Sequence, residues 1–69
     1  KNKMNITING KNFYVNDNLS LYDILENNYL NSNNIVIEIN QEIVSRNLWG
    51  ETKVNENDKI EIITAVGGG

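Results

Sequence analysis

Three consecutive glycines, Gly67-Gly68-Gly69, close the chain, and chemistry of an uncommon kind could reside there. They have no side chains to pack, so no core explains them. Extended, they reach roughly 10 Å past the last strand, and without Cβ atoms they can enter a channel too narrow for any other residue. The terminal carboxylate on Gly69 is ionised at neutral pH and is a poor electrophile. It becomes reactive only when ATP converts it to a mixed anhydride with AMP. The chain holds no phosphate-cradling loop, so a partner would have to catalyse that step. The bland alternative is an inert linker end.

Other chemistry is thin. Cysteine and histidine are both absent, which removes disulfides, thiolate metal sites, the commonest general base and the commonest metal ligand. Ser20 invites comparison with carriers that load a prosthetic group on a serine at a helix start. Those carriers are all-helical with an aspartate directly before the serine, whereas Leu19 precedes Ser20 and strands surround it; a helix cap is the better reading. Asn16, Asn18 and Ser20 imitate the early oxygens of a calcium loop, but Leu21 and Asn27 stand where glycine and glutamate are required. The carboxylates Glu38, Glu42, Glu51, Glu56, Asp58 and Glu61 are expected as solvated surface charge, and Trp49 and the tyrosines as core or rim packing. No metal site and no enzymatic activity are expected.

Sixty-nine residues make one domain. A net charge of −3 argues against nucleic-acid binding, and no apolar run approaches the length of a membrane helix. With no secretory pattern at the start, a cytoplasmic protein is expected. Ten isoleucines and five valines against five leucines favour pleated strands. The fifteen asparagines are read as drift at surface positions.

Met4, Ile6 and Ile8 alternate with polar residues as in a half-buried strand. Asn9-Gly10 is a hairpin signal, since both residues tolerate positive φ, and Phe13 and Val15 mark a returning strand. Ser20 with Asp23 has capping-box spacing, and Leu19 with Ile24 has staple spacing. Leu21, Ile24, Leu25 and Tyr29 form one helical stripe. Ile35 to Ile39 reads as a third strand and Asn40-Gln41 as a tight turn. Glu42 to Ser45 reads as a short fourth strand. Arg46 to Gly50 is expected as an irregular or single helical turn anchored by Leu48 or Trp49, and Thr52 to Val54 is ambiguous. Asn55 to Asp58 is a turn, and Lys59 to Val66 the final strand. Residues 1–3 are set aside as a tag or disordered N-terminus, 4–66 form the domain, and 67–69 a flexible tail. One helix on one face of a mixed four- to five-stranded sheet gives an α+β protein, a β-grasp if the terminal strands pair in parallel at the centre.

Met4 to Gly69 resembles the ThiS-type sulfur carriers of bacterial thiamine biosynthesis, within the ubiquitin-related ThiS/MoaD-like superfamily. The carrying residues are the opening strand with Asn9-Gly10, the run Ile35-Val36-Ile37-Glu38-Ile39-Asn40-Gln41-Glu42-Ile43-Val44 with Arg46 and Trp49 after it, and Asp58-Lys59-Ile60-Glu61-Ile62 followed by Val66-Gly67-Gly68-Gly69. Asn57 departs from the glycine the family often has there, and asparagine tolerates the same left-handed geometry. The resemblance implies a β-grasp protein that is a co-substrate and not an enzyme. An E1-like, ThiF-type adenylyltransferase would activate Gly69 with ATP, and a sulfur donor such as a cysteine desulfurase would supply the thiocarboxylate. A ThiG-type thiazole synthase would then accept the sulfur. No cofactor is bound, Gly67 and Gly68 would be recognised by the partner, and the free protein would be a monomer. Sulfur delivery for molybdopterin or tRNA thiolation, or a ubiquitin-like modifier or binding module, are the alternatives.

The sheet face away from the helix is expected to dock partners. Ile60 and Ile62 should point toward the helix, which sends Ile63 or Ala65 outward beside Thr7 and Tyr14.

Overall fold

The computed structural model describes residues 2–26 and 34–64. In chain order the elements are β1 (Lys3–Ile8), β2 (Lys11–Asn16), α1 (Leu21–Glu26), β3 (Ile35–Ile39), β4 (Glu42–Val44), a 3-10 helix (Arg46–Glu51) and β5 (Lys59–Thr64). The five strands form one sheet in the order β2-β1-β5-β3-β4. β1 and β5 are parallel neighbours, and every other pairing is antiparallel. Terminal strands side by side at the centre, with the helix on one face, make this a β-grasp.

Local chemistry explains most of the boundaries. Asn9 and Gly10 turn the first hairpin at φ 53 and 83, and Asn40 and Gln41 turn the second at φ 52 and 73. Two successive left-handed residues give the turn whose twist matches that of the flanking strands. Asn57 adopts φ 69 before Asp58, the conformation that asparagine accepts in place of glycine. At the start of α1 the capping box is reciprocal. Ser20 Oγ accepts from the Asp23 N–H at 3.1 Å, and Asp23 Oδ2 accepts from the Ser20 N–H at 3.1 Å. Backbone bonds from Leu21 N–H to Thr52 C=O and from Val54 N–H to Leu19 C=O tie this helix start to the later connection. Lys53 forms an isolated bridge with Ser20, which settles the ambiguous stretch as a fastening and not a strand.

The core follows the two periodicities. Met4, Ile6 and Ile8 of β1, Ile35 and Ile37 of β3 and Ile60 of β5 are buried under Leu21, Ile24 and Leu25 of α1. Phe13, Val15, Leu19, Ile39, Val44 and Ile62 pack around them. Trp49 plugs the open end, 2% exposed, with its indole N–H donating to the Val44 carbonyl at 3.0 Å. The Arg46 guanidinium lies 4.6 Å from the ring centroid, a cation–π stack on the ring. Leu48, the other candidate anchor, is exposed.

Several expectations need correction. Lys3 belongs to β1, pairing with Asn16, and Asn2 C=O accepts from Asp17 N–H, so the sheet begins before Met4. β4 stops at Val44, one residue short of the expected Ser45. Asp58 is buried and not a solvated surface charge. Its Oδ2 accepts from the Asn55 N–H at 2.8 Å and its Oδ1 from the Asn40 side-chain amide at 3.0 Å. A short side chain that can mimic a backbone acceptor closes the turn from inside. Tyr29 and the expected end of the helix, Ala65, Val66 and the three glycines lie outside the described residues.

Candidate functional site

With α1 on one face, the alternation of the strands assigns the other face without ambiguity. It carries Lys3, Asn5 and Thr7 of β1, Asn12 and Tyr14 of β2, Lys59, Glu61 and Ile63 of β5, Val36 and Glu38 of β3, and Ile43 of β4. Ile63 stands opposite Val36, while Glu61 stands opposite Glu38, which faces Ile43 on its other side. Ile63 is 45% exposed, Ile43 69% and Tyr14 65%. Two carboxylates therefore sit between exposed aliphatic residues at one end of the face. Glu38, Asn40, Gln41, Lys59, Glu61 and Ile63 line a broad open depression there. A second, smaller depression includes Asn5, Thr7 and Asn12.

Thr7, Tyr14 and Ile63 share this face, but they are not beside one another. Thr7 is level with Lys59, and Ile63 lies four residues farther along β5, roughly 13 Å away at strand rise. Tyr14 faces Asn5, which puts it roughly 20 Å along the strands from Ile63. Its ring stands instead near Lys3, whose Nζ is 5.9 Å from the centroid. The parallel offset between β1 and β5 is the reason: β5 begins level with the end of β1 and runs on past it. Ala65 lies outside the described residues.

The sequence reading missed the asparagines that hold β5. At its start, Asn40 Oδ1 accepts from the Lys59 N–H at 3.0 Å while the Asn40 amide donates to Asp58. Past the end of β1, Asn9 Oδ1 accepts from the Ile62 N–H at 2.7 Å, and Asn9 Nδ2 donates to the Ile62 carbonyl at 3.4 Å. Both belong to hairpin turns, where asparagine is expected for its backbone alone. The only available signal is that asparagine, and not glycine, occupies the first turn position in each. Thus the strand from which the C-terminal residues issue is gripped by side chains of two different turns. Among the described residues no cluster of acidic, histidine or cysteine side chains is arranged to hold a metal ion. Among its described residues this face combines the carboxylates Glu38 and Glu61 with the exposed apolar side chains Ile43, Ile63 and Tyr14.

Comparison with known proteins decides the family. The ThiS family model matches residues 2–69, through the three glycines. The chain belongs to the ThiS family. ThiS-type proteins are small sulfur carriers of thiamine biosynthesis and in general are not enzymes. The crystal structure of the thiamine biosynthesis protein ThiS from Geobacter metallireducens superposes with a TM-score of 0.78 at 30% identity, covering 96% of this chain and 100% of that one. The protein ycf40 of Porphyra purpurea is 47% identical over 68 residues, 96% of this chain and 93% of that one. A thiazole synthase from Paramagnetospirillum magneticum is 30% identical over 66 residues, 96% of this chain but 20% of the enzyme. This ThiS-family chain has no helix, among its described residues, long and apolar enough to cross a membrane.

Proposed function

We propose that this chain carries sulfur on the carboxyl group of Gly69 for thiazole formation, as a cytoplasmic co-substrate of partner enzymes. An E1-like, ThiF-type adenylyltransferase would join the carboxylate to AMP and release pyrophosphate from ATP. A persulfide formed by a cysteine desulfurase would then displace AMP to give an acyl disulfide, and attack by a second thiol on the donor's sulfur would release the thiocarboxylate and leave that thiol in a disulfide with the donor. A ThiG-type thiazole synthase would take the sulfur and return the carboxylate. The observation that carries this reading is the family match running through Gly69, and the similarity to a thiazole synthase supports the acceptor. The absence of cysteine and histidine fits a chain that is handed between catalysts.

The uncovered sheet face would dock these partners, with Ile63 nearest the C-terminal residues and Thr7 and Tyr14 toward the far end. Gly67 and Gly68 would enter the partner's channel, where side chains cannot follow, and Ala65 would belong to the docking face. Incubation with the adenylyltransferase, ATP and a sulfur source, followed by intact mass, tests the reading. The expected gain corresponds to one oxygen replaced by sulfur and disappears when Gly69 is deleted. No gain with an enzyme of verified activity would refute the carrier role, and a stable isopeptide to lysine on another protein would make the chain a modifier.

A further inference from the structure

The parallel pairing of β1 with β5 is short, with only Thr7 facing Lys59 and Ile8 facing Ile60. The Thr7 N–H donates to Asp58 C=O at 3.1 Å and the Asn9 N–H to Ile60 C=O at 2.8 Å. In a regular parallel ladder the next bond would run from the Ile62 N–H to the backbone carbonyl of residue 9. The backbone turns away there, at Asn9 φ 53. The side-chain carbonyl of Asn9 takes that place at 2.7 Å. On its other side β5 remains paired with β3 as far as Thr64. Asn9 therefore makes β5 two-sided for one step beyond the end of β1, on the approach to the C-terminal glycines.

Resting on the carrier reading above, we propose that Asn9 is a positioning residue for delivery of the Gly69 carboxylate. Its amide extends the hold on β5 from the β1 side as far as Ile62, two residues before Thr64. Without it, Ile62 to Thr64 are held from the β3 side alone, and the end of the strand frays. The segment that must place a carboxylate against ATP then starts from an ill-defined point. Reaction rates are sensitive to such placement, and a misplacement of about 1 Å can cost about 100-fold. The docking face is unaltered, because Asn9 acts through the edge of β5 and not through an exposed contact with the partner.

Three variants separate this role from simple support of the hairpin. Asn9→Gly keeps the left-handed turn without strain but removes the amide. Asn9→Asp keeps an acceptor for the Ile62 N–H. Gly10→Ala leaves Asn9 intact and weakens the same turn, since Gly10 sits at φ +83 while a Cβ there would meet nothing within 4 Å. For Asn9→Gly, the Ile62 amide should exchange with solvent about tenfold faster, as expected for a lost hydrogen bond, with Ile60 unchanged. Its kcat in thiocarboxylate formation should fall about 3- to 10-fold while KM stays within about twofold. Asn9→Asp, which keeps the acceptor but loses the donor to the Ile62 carbonyl, should recover most of both readouts relative to Asn9→Gly, and Gly10→Ala should lower Tm without lowering kcat. An Asn9→Gly protein that turns over at the wild-type kcat, or whose Ile62 amide is as protected as before, overturns the positioning role. If instead the wild-type protein is never thiocarboxylated, the carrier reading fails and the delivery role with it, while the exchange data still report whether Asn9 holds β5.

Discussion

Replacing Ile63 with alanine tests whether the uncovered face binds partners through its apolar end. Ile63 is 45% exposed in the free protein, and full burial of an isoleucine side chain contributes about 1.5–3 kcal/mol. A partner that covers the remainder therefore gains about 0.7–1.4 kcal/mol, and the alanine variant should bind the activating enzyme about 3- to 10-fold more weakly. The already buried half contributes to folding, so the same change costs about 0.8–1.6 kcal/mol of stability, or roughly 3–13 °C in Tm. A 69-residue domain with about 3.5–10 kcal/mol to lose remains folded at room temperature. Titration calorimetry at 20 °C then reads binding on a folded population, checked by circular dichroism. Ile63→Lys sharpens the separation. Its stem can lie along Val36 with the ammonium toward Glu61, so the free fold loses little, whereas burial of that ammonium under a partner is costly. Tyr14 is the internal comparison. A standard interface of about 800 Å² per partner is about 32 Å across, so one centred on Ile63 extends about 16 Å and stops short of Tyr14, whose truncation should leave binding nearly unchanged. Affinity unchanged in both Ile63 variants would refute docking at this end, and a larger loss for Tyr14→Ala would move the centre of the interface to the β1–β2 hairpin.

Two further outcomes concern the scaffold. Gln41 occupies φ 73 without the side-chain chemistry that eases asparagine into that region, so Gln41→Gly should stabilise the domain by about 0.5–1 kcal/mol, read as a rise of a few degrees in Tm by calorimetry. Trp49→Phe removes the N–H that satisfies the Val44 carbonyl and part of the ring that carries Arg46; a loss of about 1–3 kcal/mol in urea unfolding is expected, and a loss below about 0.5 kcal/mol would show the bond to be dispensable.

Where a feature repeats with the period of a strand or sits at a fixed offset in a cap, the sequence showed it directly. Ile35, Ile37 and Ile39 against Val36 and Glu38, and Ser20 with Asp23, are of this kind, and together with the hairpin turns they give one helix on a mixed sheet, which becomes a β-grasp through the parallel pairing of β1 with β5. What escaped depends on how distant segments line up. Tyr14 and Ile63 share one face, yet their separation along it follows from the offset of β5 against β1, which no single strand reveals. Asp58 looked like one more surface carboxylate because its partners, Asn55 and Asn40, come from the turn itself and from another hairpin. Leu48 and Trp49 are adjacent in a 3-10 segment with no useful periodicity, so only packing could choose between them. The asparagines that grip β5 were hidden by their own abundance, since a residue common on the surface carries little signal in the places where it does something else. At the candidate site, the three glycines stand out in the sequence by having no side chains to pack, whereas the uncovered face emerges only from the register of all five strands.

The central position of β5 also bears on the order in which the protein can assemble as it is made. The β1–β2 and β3–β4 hairpins are local and can form as soon as each is synthesised. They share no edge, however, because β5 lies between β1 and β3. Until β5 is available, β1 and β3 have no strand to join them, and the two hairpins share only the cover of α1 while their inner edges stay open. Such edges invite pairing with other chains, and closing them requires contacts between residues more than fifty positions apart, such as Ile8 with Ile60. Folding should therefore wait for β5 to emerge and proceed at the slower pace of non-local topologies.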